Sequence, residues 1–117
     1  MCILLVEDEP HFRETVVDAL ADEDFETCEV ATGDQAADLI EKPPKPLRLL
    51  MTDVDLPGKR DGLSLAQLMH RRHPSLPVLY MTARPDRIPS LGAKEALLAK
   101  PFSISNMIHA IRQLLTE

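Results

Sequence analysis

Short apolar runs recur along the chain, and each stops abruptly at a polar or charged residue. Cys2–Val6 (CILLV) is continuously apolar, the pattern of a strand covered on both faces. It stops at Glu7-Asp8-Glu9, and Pro10 then suits the first turn of a helix carrying Phe12, Val16, Ala19 and Leu20 at helical spacing. Glu26–Val30 (ETCEV) reads as a short, weakly alternating strand. Thr32 and Gln35 have capping-box spacing ahead of Ala36, Leu39 and Ile40, and Pro43, Pro44 and Pro46 close that helix. A third strand is predicted over Arg48–Thr52, and it delivers Asp53 and Asp55 before the turn at Pro57-Gly58.

Asp61 is placed to cap a helix that turns Leu65, Leu68 and Met69 inward and stops at Pro74. Val78–Met81 predicts a fourth strand ending at Thr82-Ala83, and Ala96–Ala99 a fifth ending at Lys100-Pro101-Phe102. Between them, Pro85 and Pro89 oppose a regular helix over residues 84–93. Ser103 caps a final helix with Ile104, Met107, Ile108, Ile111, Leu114 and Leu115 on one face. Strands alternating with helices predict an α/β fold with a parallel sheet and helices on both faces, and ligands in such folds sit outside the carboxyl ends of the strands.

Composition narrows the picture. A chain of 117 residues predicts one domain spanning 1–117, and the proline-rich stretch before the third strand is too closely followed by it to be a linker. Thirteen basic against nineteen acidic residues, a formal charge of -6, argue against a broad nucleic-acid or anionic-membrane surface. The first apolar run is too short for a signal-peptide core and no run approaches a membrane span, so a cytoplasmic protein is expected. Cys2 and Cys28 fall in predicted strands and read as reduced, buried thiols, with Cys2 near enough to the terminus to leave exposure open. His70 and His73 sit at a helix C-terminus with no further ligand to complete a metal set, and read as surface residues.

The strand ends supply the chemistry. Glu7 and Asp8 follow the first strand, Asp53 and Asp55 the third, Thr82 ends the fourth and Lys100 the fifth. Two carboxylates about 4 Å apart repel by about 4 kcal/mol at an effective dielectric of 20, so such a cluster calls for a hard cation. An all-oxygen set with room for water and phosphate oxygens suits Mg²⁺, and Lys100 adds a point charge able to bind phosphate. A carboxylate nucleophile, a divalent cation, a lysine and a hydroxyl together match phosphoryl transfer to Asp53.

Glu7-Asp8 in ILLVEDEP, Asp53 in LLMTDVDLPG, Thr82-Ala83 in YMTAR and Lys100-Pro101-Phe102 in AKPF, in this order, resemble the receiver domain of a two-component response regulator, from about Cys2 to Leu115. The resemblance implies a flavodoxin-like sandwich with strand order 2-1-3-4-5. It implies phosphorylation of Asp53 by a histidine kinase or histidine phosphotransfer protein, with chemistry confined to the chain's own phosphorylation and dephosphorylation. It implies Mg²⁺ held by Asp8, Asp53 and the backbone carbonyl of Asp55, with Glu7 acting through water. Lys100 and Thr82 would contact the phosphoryl group, and the Lys100–Pro101 bond would be cis.

Two departures concern the readout. Leu97 stands where members of that family often carry an aromatic switch residue, and the segment between Thr82 and Lys100 is about one helical turn short. A degenerate receiver that binds protein partners regardless of phosphorylation is therefore an alternative. A second is a Mg²⁺-dependent phosphohydrolase, prompted by Asp53-x-Asp55, although enzymes of that kind carry the motif on the first strand of a longer chain. No stretch reads as a DNA-binding or enzymatic output domain, which leaves open a stand-alone regulator, alone or as a homodimer acting on a downstream protein, and the receiver part of a longer protein.

Overall fold

The Cys2–Val6 run forms β1, with every residue buried. The computed structural model describes residues 1–88 and 90–116. The chain continues through α1 (Pro10–Asp22), β2 (Glu26–Val30), α2 (Gly33–Glu41), β3 (Leu47–Asp53), α3 (Gly62–Arg72), β4 (Val78–Thr82), β5 (Glu95–Ala99) and α4 (Ile104–Leu115). The strands form one sheet in the order β2-β1-β3-β4-β5, all pairs parallel. This is the flavodoxin-like order that the sequence resemblance implied.

Two apolar layers cover the sheet. Ile3, Leu5, Leu49, Met51, Leu79 and Met81 pack on one face against Val16 and Leu20 of α1 and Met107 and Ile111 of α4. Leu4, Val6, Leu50 and Tyr80 pack on the other against Ala36 and Ile40 of α2 and Leu65 and Met69 of α3. The period-2 alternation of a strand sends successive side chains to opposite layers, which is why the central runs are apolar throughout.

The helix starts follow from short polar side chains. Thr32 accepts from the Gln35 N–H, Asp61 from the Ser64 N–H and Ser103 from the Asn106 N–H, each satisfying an otherwise unpaired helical donor. Glu9 does the same for α1, accepting from the His11 and Phe12 amides, and these bonds, Phe12 first, hold its carboxyl below the usual range. Strand ends extend slightly past the apolar runs: β3 starts at Leu47 and includes Asp53, β4 includes Thr82 and β5 starts at Glu95.

Because α1 leaves β1 on one face while α3 leaves β3 on the other, the carboxyl ends of these two adjacent strands border an open crevice. The stretch between β4 and β5 differs from the rest. Its only regular element among the described residues is a single 3-10 turn at Pro85–Arg87, so the irregularity predicted there is observed; Pro89 lies outside the described residues.

Cys2 is fully buried, as its place in a strand predicts, because Met1 precedes a strand that lies inside the sheet, and the exposure left open by its nearness to the terminus is not observed. Its Sγ is 2.6 Å from that of Cys28, and both cysteines are free thiols. Burial, then the contact with Cys28, pushes the Cys2 thiol up to about 12. No helix among the described residues is long and apolar enough to cross a membrane.

Candidate functional site

The strand ends converge on a cleft of about 240 Å³ lined by Glu7, Asp8, Asp53, Asp55, Thr82 and Lys100 among others. Every residue singled out in the sequence as a candidate thus lies at this one place. The backbone fixes them. The Val54 amide donates to the Met81 carbonyl and the Lys100 amide to the Thr82 carbonyl, locking the ends of β3, β4 and β5 in register. The Lys100–Pro101 peptide is cis.

Asp53 is 5% exposed and Glu7 1%, so two acids occupy the floor of the cleft with little access to water. Lys100 Nζ reaches both, at 2.6 Å from Asp53 Oδ1 and 2.9 Å from Glu7 Oε1. The Glu9 amide also donates to Glu7 Oε2 at 3.0 Å, and Arg13 donates to the Glu7 carbonyl at 2.7 Å. One carboxylate oxygen from each of Glu7, Asp8 and Asp53 lies within 4.8 Å of the others, with Asp8 at the exposed rim.

Two acids and one lysine do not balance. Burial, and then the neighbouring Glu7 carboxyl, pushes Asp53 up from 3.8 to about 7 against the pull of Lys100. Burial acts on Glu7 in the same direction, but hydrogen bonds with Asp53, the Glu9 amide and Lys100 hold it below its usual range. The two acids titrate as a pair, with burial and mutual repulsion disfavouring charge on both at once. For Lys100 burial opposes the charge, yet its bonds to Asp53 and Glu7 raise it above its ordinary value. With Asp8 beside them the acids outnumber the lysine, and the all-oxygen donors fit a hard divalent cation such as Mg²⁺.

Thr82 is also buried, and its Oγ accepts from the Arg84 amide at 2.9 Å. That bond uses a lone pair and leaves the hydroxyl proton to be donated elsewhere. Asp55 stands at the rim, more than half exposed, with its Oδ1 2.9 Å from a guanidinium nitrogen of Arg87.

Some contributors were missed in the sequence. Phe12, read only as an inward helical position, lies 4.7 Å from Lys100 Nζ by its ring centroid and packs edge-on against Phe102. The Phe12 ring flanks the lysine, and the cation over its face is favourable. Gly62 follows the Asp61 cap, and a Cβ there would fall 2.1 Å from the Asp53 carbonyl oxygen. Only glycine lets the start of α3 approach the end of β3 so closely. The DG pair after a turn-rich loop was the available signal, and nothing local announced the approach to Asp53. Arg87 had no local signal either, since its partner is Asp55 on another loop.

The profile of the response regulator receiver domain family matches residues 3–112. The response regulator receiver protein CpdR of Brucella abortus is 29% identical over 119 residues, covering 97% of this chain and 95% of its own. The transcriptional regulatory protein BaeR of Escherichia coli O6:H1 is 31% identical over 118 residues, covering 97% of this chain but 47% of its own, so the chain spans about half the length of that relative. A response regulator receiver protein from Sinorhizobium medicae superposes with a TM-score of 0.91 at 26% identity, covering 98% of this chain and 94% of its own. The parallel order, the acids at adjoining strand ends and these likenesses lead to one assignment: the chain belongs to the response regulator receiver domain family of two-component signalling.

Proposed function

We propose that this receiver domain, residues 1–117, accepts a phosphoryl group on Asp53 from a histidine kinase or histidine phosphotransfer protein, and that the modified domain changes its affinity for a downstream protein. The observation that carries the reading is the buried Asp53 carboxyl, set against Glu7 and Lys100 at the floor of an open cleft. Asp8 and Asp53 would hold Mg²⁺ by their carboxylates, Asp55 by its backbone carbonyl and Glu7 through water. The bound ion would offset negative charge on the transferring group.

The chain's own residues do the rest. Asp53 attacks phosphorus as a carboxylate while the donor's P–N bond breaks and its imidazole leaves, and cation binding and deprotonation of Asp53 favour one another. Lys100 already bridges Asp53 and Glu7, and it supplies a fixed positive charge for the incoming oxygens. Thr82 donates its hydroxyl proton to a phosphoryl oxygen while keeping its bond from the Arg84 amide. The reaction ends on the chain itself, so no substrate is turned over. This reading puts the domain in the cytoplasm beside its phosphodonor.

Intact-mass measurement after incubation with acetyl phosphate and Mg²⁺ tests the proposal. Wild type gains one phosphoryl group, and Asp53→Asn gains none. Wild type that stays unmodified with acetyl phosphate and with phosphorylated donor proteins rejects it. The absence of an α-helix between β4 and β5 among the described residues, together with Leu97, favours a second reading, in which partners bind whatever the state of Asp53. Equal partner affinity for phosphorylated wild type and Asp53→Asn would establish that one instead.

A further inference from the structure

Arg87 lies on the 3-10 turn that follows Thr82, and its side chain reaches across to Asp55 on the loop after β3. Asp55 lines the same cleft as Asp53, Thr82 and Lys100. We infer that Arg87 is a phosphoryl-sensing residue, held on Asp55 in the unmodified protein and transferred to the phosphoryl group once Asp53 carries one, drawing the turn at Pro85–Arg87 toward the cleft. The inference rests on the phosphoacceptor reading of Asp53 and names the device by which that site would be read.

The resting pair is suited to exchange. Arg87 is 50% exposed and Asp55 56%, and an ion pair this open to water contributes little to stability. Asp55 offers one negative charge, whereas a phosphoryl group near neutral pH carries about -1.5 to -2 and three acceptor oxygens. The planar guanidinium fork suits bidentate phosphate contact. Releasing Asp55 costs little, because its carboxylate is already hydrated.

The backbone that carries Arg87 is also easily moved. The turn is held by the bonds from the Arg87 amide to the Arg84 carbonyl and from the Ile88 amide to the Pro85 carbonyl, and residues 84–87 are all exposed. A segment with few buried contacts opens at low cost. Its first residue is tied to the acceptor cleft, since the Arg84 amide donates to Thr82 Oγ. A phosphoryl group that engages Thr82 and Arg87 therefore grips both ends of the turn. A ligand shifts a conformational equilibrium only through differential affinity, and the extra charge on the phosphoryl group supplies it.

Hydrogen exchange on the full chain, with and without beryllofluoride and Mg²⁺ as the phosphoryl mimic, tests the inference. In wild type the amides of Arg84 and of residues 86–88 exchange roughly fivefold more slowly with the mimic bound, because Arg87 trades a singly charged partner for a more highly charged one. In Arg87→Ala that slowing is lost while amides at Thr82 and Lys100 still respond, and Arg87→Lys restores part of it. Slowing at 84–88 that is the same in Arg87→Ala overturns the inference. So does a wild type whose Thr82 and Lys100 amides respond while 84–88 does not. A mimic that leaves every amide unchanged overturns the phosphoacceptor reading, and this inference with it.

Discussion

Lys100 and Arg87 each hold a carboxylate beside the proposed acceptor, but their surroundings differ. Lys100 is pinned by its amide to β4, flanked by Phe12 and paired with two acids that water hardly reaches. Arg87 rides on an exposed turn and pairs with an exposed acid. The first region is rigid and carries electrostatic tension; the second is loose and nearly neutral in energy. That contrast suits one region to hold a reactive carboxylate and the other to move when its charge changes.

The contrast can be broken most sharply at glycine. Gly62→Ala puts a Cβ 2.1 Å from the Asp53 carbonyl oxygen, where backbone must shift, whereas a Cβ at Gly92 meets only side-chain atoms of Glu95, none nearer than 3.3 Å. Urea unfolding should show Gly62→Ala destabilised by roughly 3 kcal/mol or more and Gly92→Ala by less than about 1. Similar costs at the two positions would contradict the division into a rigid and a loose region.

Removing each cation comes next. Lys100→Met leaves Glu7 and Asp53 buried without their shared partner, and a loss on the order of 1–3 kcal/mol is expected at neutral pH, limited by Asp53 taking up a proton.

The acid itself should behave in the opposite sense. Asp53 titrates at about 7 in the folded chain against 3.8 ordinarily, so its favourable contribution is complete below pH 3.8 and is lost as pH rises through 7. Asp53→Asn escapes that loss. Without divalent cation it should unfold at higher urea than wild type at pH 8, by on the order of 1–2 kcal/mol, with the gap closing toward pH 4. Adding Mg²⁺ at tenfold its Kd should raise wild-type stability by about 1.4 kcal/mol and Asp53→Asn by less.

Arg87→Ala closes the series, with a change within about 0.5 kcal/mol expected in the unmodified protein. A larger cost would mean that the pair with Asp55 is structural and not easily exchanged.

The same division governed what could be read from sequence. In the sheet, Cys2–Val6 and Val78–Met81 are so apolar that their strand character was evident, as was the double coverage of the first, and Thr32, Asp61 and Ser103 announced their helices. Glu7, Asp8, Asp53, Thr82 and Lys100 were legible as a group because topology sends all parallel strand ends to one side. Residues whose roles depend on long-range approach were not. Phe12 looks like any inward helical residue, and Gly62 like any turn glycine. Between Thr82 and Glu95 the prolines predicted only what would not form. The contact between Arg87 and Asp55 joins loops far apart in sequence and has no local pattern.

The central claim is that Asp53 itself takes the phosphoryl group. Borohydride converts an acyl phosphate to an alcohol, so treating the acetyl-phosphate-modified chain with it marks the acceptor. Peptide sequencing by mass spectrometry should then find homoserine at position 53 and nowhere else. Homoserine at another acid, or none at all in a chain that has gained a phosphoryl group, would contradict the account.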